Sequence, residues 1–494
     1  MNDHTSSTRT MSPAESSGTG AGPTSTAEID RSCRMAVMFL FSSALIWLVI
    51  GIVLGLISSI KLHGPGFLSQ LSWLTYGRVY PASQNAVVYG FSAQALLGIA
   101  LWLIARLGRV SLQGPGMIVV GGVFWNFAIA MGLVGILTGN STGYEWLEMP
   151  RSASSLLFFS YALIGVWALI TFHMRRERQL YVSQWYLLAA LLWFPWSYST
   201  AQLLLVVSPV QGVMQAIVNG WFVHNLFEVW FSFLGLAGVF YFIPKIIGQP
   251  LHSRYLALFA FWMLAFFGSW GGVYADAPVP KWVSSLSIAT RVMMLIPMLA
   301  IGLNIQSTLS AHCAILKTNM VLRFVWVGAI SYLLATLLGI VGALRSVSEV
   351  TLFTLYTNAI TNLQLYGFLG MVVAGGIYYI VPRLTECDWP STGLIRFHFS
   401  TATLGVALLV LPQLIGGVLQ GIKLNDPQVP FLSVVKSTIP FLGMSTLGEL
   451  LLLVGNLALL VNLLKILPAC CTCCLGRVSN STPQPKAVAV GGRI

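Results

Sequence analysis

The residues best placed to do chemistry are His224 and Glu228, inside the apolar run 221–245, WFVHNLFEVWFSFLGLAGVFYFIPK. Four residues apart on a helix, they share one face, one turn from each other. A titratable group inside a membrane is expensive and marks a protein interior or a cavity. Three roles suit such a pair: a metal centre, a buried hydrogen-bonded pair, or a proton-conducting, water-lined site. Iron or copper needs about three or more protein donors, and one imidazole with one carboxylate is half a set. The buried hydrogen-bonded pair is therefore the preferred reading. A second cluster, Cys470, Cys471, Cys473 and Cys474, follows the last apolar run. Its spacing fits no paired C-x2-C zinc pattern, and crowding explains it better than lipidation.

These residues sit in a chain built for the bilayer. Of 494 residues, 56% are hydrophobic and 8% charged, which excludes an ordinary soluble domain. Runs of about 20 apolar residues predict an all-α membrane protein of about twelve spans. They fall near 36–60, 83–105, 116–138, 154–172, 183–207, 213–243, 255–274, 284–306, 322–343, 352–381, 397–420 and 439–467. Residues 1–34 read as a disordered tail, 35–467 as the membrane domain, and 468–494 as a Cys-rich, then flexible tail. Nothing at the N-terminus reads as a cleavable leader.

The net charge of +12 does not point to nucleic acid, because the cations collect in short loops and tails. Arg106, Arg175, Lys245, Lys317 and Arg383 mark alternate loops, which by the positive-inside rule puts both termini in the cytoplasm. All seven Cys then lie on that reducing side, with no disulfide framework. Pro244 and Pro382 are expected to end their helices. Gly370, Gly375, Gly376, Gly416 and Gly417 are expected where helices approach closely.

Several blocks, in order, resemble the haem-copper oxidase catalytic subunit I, above all that of cbb3-type cytochrome c oxidases. They are TYGRVYPASQNAVVYGFSAQALLG, YVSQWYLLAALL, HNLFEVWFSFLGLAGVFYFIPK, GGIYYIVPRL, RFHFSTATLGVALLV and GGVLQGI. The resemblance covers roughly residues 35–465. It implies a twelve-helix bundle with three pores, one for a low-spin haem b and another for a high-spin haem facing copper. It further implies respiratory electron transfer and oxygen reduction.

Carried over residue by residue, the family's histidine positions read differently here. The second-span haem ligand falls on Ser83, the tenth-span His-x-His pair on Thr361 and Leu363, and the seventh-span copper pair on Tyr274 and Ala275. The redox tyrosine falls on Gly268. Only a sixth-span copper ligand is kept, as His224. In nitric oxide reductases of the same superfamily, a sixth-span His on non-haem iron is followed four residues later by Glu, the spacing of His224 and Glu228. Leu and Ala carry no donor, and hydroxyls serve haem iron poorly. The other histidines, His4, His63, His173, His252, His312 and His398, fall in tails, loops or helix ends.

The resemblance also matches Arg78 of GRVYP to an Arg that meets haem propionates, and GYEWLEMPR to a loop beside them and a calcium ion. The plain readings are a juxtamembrane anchor for Arg78 and a solvated loop for Glu145 and Glu148. No bound cofactor is expected from the ligands, which makes the chain a pseudoenzyme: a non-catalytic oxidase-like subunit. Its expected setting is a bacterial inner membrane, beside lipids and other oxidase-like or c-type cytochrome subunits. The alternatives are an active terminal oxidase or nitric oxide reductase with atypical ligation, or a proton or ion conductor using emptied pores. Phe222, Phe227, Trp230, Tyr356 and Tyr366 are candidates to fill those pores.

Overall fold

The computed structural model describes residues 25–275 and 277–479, with side chains to Ile466. The tail before Ser25 and the Cys470–Cys474 side chains lie outside the described residues. Among the described residues twelve apolar helices follow one another: α1 Thr26–His63, α2 Tyr76–Gly108, α3 Pro115–Thr138, α4 Arg151–His173, α5 Val182–Val207 and α6 Met214–Ile247 form the first half. The second half comprises α7 Arg254–Gly268, α8 Lys281–Ser310, α9 Met320–Ala343, α10 Leu355–Thr385, α11 Thr392–Leu424 and α12 Phe431–Ile466. All but α7 are long and apolar enough to cross a membrane.

Local chemistry sets the boundaries. Helix α1 starts at Thr26, ahead of the apolar run, because Ser25 and Glu28 form a capping box. Side chains of Ser253, Asn319, Thr354 and Ser391 cap α7, α9, α10 and α11. Helix α7 stops at Gly268, short of the expected 274, where Ser-Trp-Gly-Gly breaks the helical pattern. The hydrogen-bond pattern of helix α8 is interrupted at Met294, one turn before Pro297, which has no N–H to give the turn above it. Pro244 and Pro382 do not end their helices, contrary to expectation. Each lies in a last turn that runs three residues further.

Helices α2, α6 and α10 are the centre of the bundle. The most apolar stretches of α2 and α6 are wholly buried, and that of α10 is 83% buried, against 39–56% in the other eight long helices. Each central helix has a π-helical stretch: Ala86–Ala93, Asn225–Phe231 and Leu363–Gly370. Such stretches collect at functional sites, and two of them carry Glu228 and Gln364. Four of the five glycines pack as expected, while Gly370 meets only Leu365 O of its own helix: Cβ atoms at Gly375 and Gly376 would crowd Val325 and Ile99. At Gly416 and Gly417 they would crowd Phe441 and the backbone of Tyr356. Phe222, Phe227, Trp230 and Tyr356 are buried. Trp230 packs edge-on to Tyr161 and tilted against Phe194, filling the space between α4, α5 and α6.

A buried histidine, arginine and glutamate beside a cavity

Helix α6 aims His224 and Glu228 at the same partner, the guanidinium of Arg291 on α8. Nη1 of Arg291 lies 2.7 Å from His224 Nδ1, and its Nη2 donates to Glu228 Oε1 at 2.9 Å. Gln364 of α10 donates to the same oxygen at 2.7 Å. The side chains of Arg291 and Glu228 are only 16% and 4% exposed. A guanidinium has donors and no acceptor, so Nδ1 must be the acceptor and the imidazole is neutral with its proton on Nε2. That Nε2 is buried without a hydrogen-bond partner.

Three glycines make this arrangement possible. A Cβ on Gly339 of α9 would collide with Nη2 of Arg291, and one on Gly271 would collide with Nε2 of His224. Gly272 sits at φ +102°, a conformation open to glycine, and its backbone crosses that of Gly220 closely. The loop that carries them is held down by Trp221 Nε1 donating to Ser269 O at 3.1 Å and by Val273 N–H donating to Ser287 Oγ at 3.1 Å.

A cavity of about 220 Å³ opens beside the triad. Its walls bring His224, Phe227, Glu228, Tyr274, Ala275, Tyr356 and Thr361 together, seven positions the sequence had singled out, and add Arg291 and Gln364. Tyr274 and Ala275 lie on the loop after α7 and not within a span. Ser83 and Leu363 stand elsewhere. Ser83 is buried and donates to Gly51 O at 2.8 Å, where α1 and α2 touch. Leu363 is buried and packs at Gly367.

Arg291 is the charged residue of this site that sequence reading missed. The charge pattern was read from loops, and Arg291 belongs to none. The available signal was the cost of a lone cation in an apolar run, which demands a buried anion nearby.

The other expectations divide. Arg78 anchors the start of α2 to the end of α3, donating to Leu137 O at 3.3 Å. Glu145 is exposed, as a solvated loop requires. Glu148 is only partly exposed: Asn85 Nδ2 donates to its carboxylate at 2.8 Å, and partial burial pushes the acid up to about 7 against that hydrogen bond. His398 lies in the second turn of α11, 3.0 Å from the Tyr378 hydroxyl, and His63 ends α1. His173 ends α4, and His252 and His312 lie in connections. None of these five lines the cavity. His4 lies outside the described residues.

The donors do not suit a copper or iron ion at this centre. Nδ1 of His224 is taken by a permanent cation, which would also repel a second one, and Nε2 faces backbone at Gly271. Among the described residues, no group of three or more His, Cys, Asp or Glu could hold a metal. Nor does a porphyrin fit at Ser83, where a Cβ on Gly51 would already crowd Val87 and one on Gly55 would stand 3.0 Å from Ser83 Oγ.

Comparison with known proteins places the scaffold. The profile described as cytochrome C and quinol oxidase polypeptide I matches residues 34–451. A cytochrome c oxidase subunit 1 homolog of Azorhizobium caulinodans is 27% identical, over 85% of this chain and 79% of its own. A bacteroid homolog of Bradyrhizobium diazoefficiens is 28% identical, over 86% and 80%. The cbb3-type cytochrome c oxidase subunit CcoN1 of Stutzerimonas stutzeri is 26% identical, over 79% and 85%. A solved heme-copper terminal oxidase dimer shares the fold at TM-score 0.63 and 15% identity, over 87% of this chain and 84% of that one. The chain therefore belongs to the cytochrome c and quinol oxidase polypeptide I family of haem-copper oxidases, as a divergent relative of the cbb3-type subunits.

Proposed function

We propose that this chain is a non-catalytic, oxidase-like subunit of a respiratory membrane complex, in which Arg291 serves as a built-in cation in place of a metal. One observation carries the reading: the only imidazole on the cavity wall accepts a hydrogen bond from Arg291 at 2.7 Å. The guanidinium supplies fixed positive charge to Glu228 and cannot accept electrons or bind oxygen. Ser83, Thr361 and Leu363 at the haem-ligand positions implied by the family, and Tyr274 and Ala275 at the copper positions, support the same reading. The subunit would then hold partners in place, other oxidase or c-type cytochrome subunits, in a bacterial inner membrane with both termini cytoplasmic.

A second reading, an active terminal oxidase, is favoured by the family match across nearly the whole membrane domain. It requires donors that the cavity wall does not offer. Oxygen uptake by the purified complex with reduced cytochrome c separates the two. The proposal expects uptake that is unchanged by His224→Ala, and uptake abolished by that substitution would overturn it.

A further inference from the structure

Glu449 on α12 is the acidic side chain that the centre around Arg291 leaves unexplained. Its Oε2 is buried and has no hydrogen-bond partner. It lies in the seam between α1, α2 and α12: a Cβ on Gly55 would stand 3.0 Å from Ser83 Oγ and 3.8 Å from Glu449 Oε2. Among the described residues no cation forms an ion pair with it. From α2 the phenols of Tyr76 and Tyr80, and from α10 that of Tyr366, come near enough to interact with its charge. Helix α11 has no Asp, Glu, Lys, Arg or His between residues 399 and 422. The nearest basic groups of α1 are at its end: Lys61, whose ammonium donates to Phe67 O, and His63.

One turn along α12 from Glu449, toward the end of the bundle that holds the α1–α2 loop, the seam becomes polar. Thr446 Oγ1 is 2.8 Å from Ser59 Oγ and 3.1 Å from His63 Nε2. Glu449 and Thr446 are three apart on α12, while Gly55, Ser59 and His63 are four apart on antiparallel α1. The two helices therefore line up His63, Thr446 with Ser59, then Glu449, in a single file. Imidazole and hydroxyl groups each donate and accept, which is what passing a proton along a file demands.

We propose that Glu449 is a proton-binding carboxyl reached from the α1–α2 end of the bundle through His63, Thr446 and Ser59. A carboxylate oxygen buried without a donor is costly, and taking up one proton from water removes that cost without any redox partner. Glu228 is the internal contrast, since Arg291 already neutralises it. Glu449 stands apart from the centre around Arg291, and its protonation is read out separately from haem content or oxygen uptake.

The test uses the full-length protein in liposomes and dicyclohexylcarbodiimide, an apolar reagent for protonated carboxyls, across a pH series, with peptide mass spectrometry. Glu449 acquires the adduct and Glu228 in the same molecules does not. Labelling falls about tenfold per pH unit beyond the midpoint. Glu449→Gln, which is close in shape, loses the label. A pH jump followed by the carboxylic infrared band should reach the same end point more slowly in a Ser59→Ala, Thr446→Val double variant. No adduct on Glu449 in folded wild-type protein would overturn the proposal. So would labelling independent of pH, protection by sodium at constant pH, or an unchanged rate in the double variant.

Discussion

Replacing Arg291 by Met should be the most damaging single change in the cavity wall. The substitution keeps an unbranched apolar stem and removes the charge, leaving Glu228, 4% exposed, with Gln364 as its only remaining donor among the hydrogen bonds observed. Breaking a buried pair by removing one partner costs about 3–5 kcal/mol, because the other charge stays buried and uncompensated. Glu228→Gln should cost less, since an amide oxygen can still accept from Arg291. The double variant Arg291→Met with Glu228→Gln carries no buried charge and should recover part of the loss, with a coupling of about 1–3 kcal/mol. Denaturant unfolding of all four proteins in mixed micelles, followed by tryptophan fluorescence, measures the cycle. A loss below about 1 kcal/mol for Arg291→Met, or effects that add to within about 0.5 kcal/mol, would refute the reasoning.

Other substitutions probe the same packing. Gly339→Ala and Gly271→Ala each drive a methyl group into the triad and should cost about 1–3 kcal/mol in the same unfolding assay, whereas Gly143→Ala, with open space around it, should be neutral. Ser83→His should not create a haem protein, because Gly51 and Gly55 hold α1 against α2 there. Its expected outcome is lower folded yield with no Soret absorption, and a haem spectrum from this single change would contradict the packing described. Glu148 titrates near 7 in the fold, above the ordinary carboxyl range. The folded state therefore holds a proton that the unfolded chain has lost, so stability is full below about pH 4.3, falls as pH rises and levels off above about 7. Unfolding midpoints across that window should fall in wild type and stay flatter in Glu148→Gln.

Much of the fold was legible because hydropathy and loop charge record which residues avoid water. Twelve helices, the close approaches at Gly375, Gly376, Gly416 and Gly417, and the shared face of His224 and Glu228 follow from that. The early start of α1 was also written in the chain, as Ser25 with Glu28, but a search for apolar runs passes over a capping box. The end of α7 at Gly268 was hidden for the opposite reason: Trp270, Val273 and Tyr274 keep the stretch apolar after the helix has stopped. Periodicity gives the face of a helix and not the neighbour it meets. Arg291 on α8 and Gln364 on α10 are 63 and 136 residues from Glu228, so their meeting is decided by tertiary packing. Glu148 read as a loop acid because its partner, Asn85, lies 63 residues away on α2.

The proposal that this scaffold works without redox cofactors is tested most directly by haem stoichiometry. Pyridine haemochrome analysis of the purified polypeptide, with its reduced-minus-oxidised visible spectrum, should give far less than one b-type haem per chain and no Soret band that follows the protein through purification. One or more haems per chain, held constant across fractions and unaffected by Arg291→Met, would contradict it.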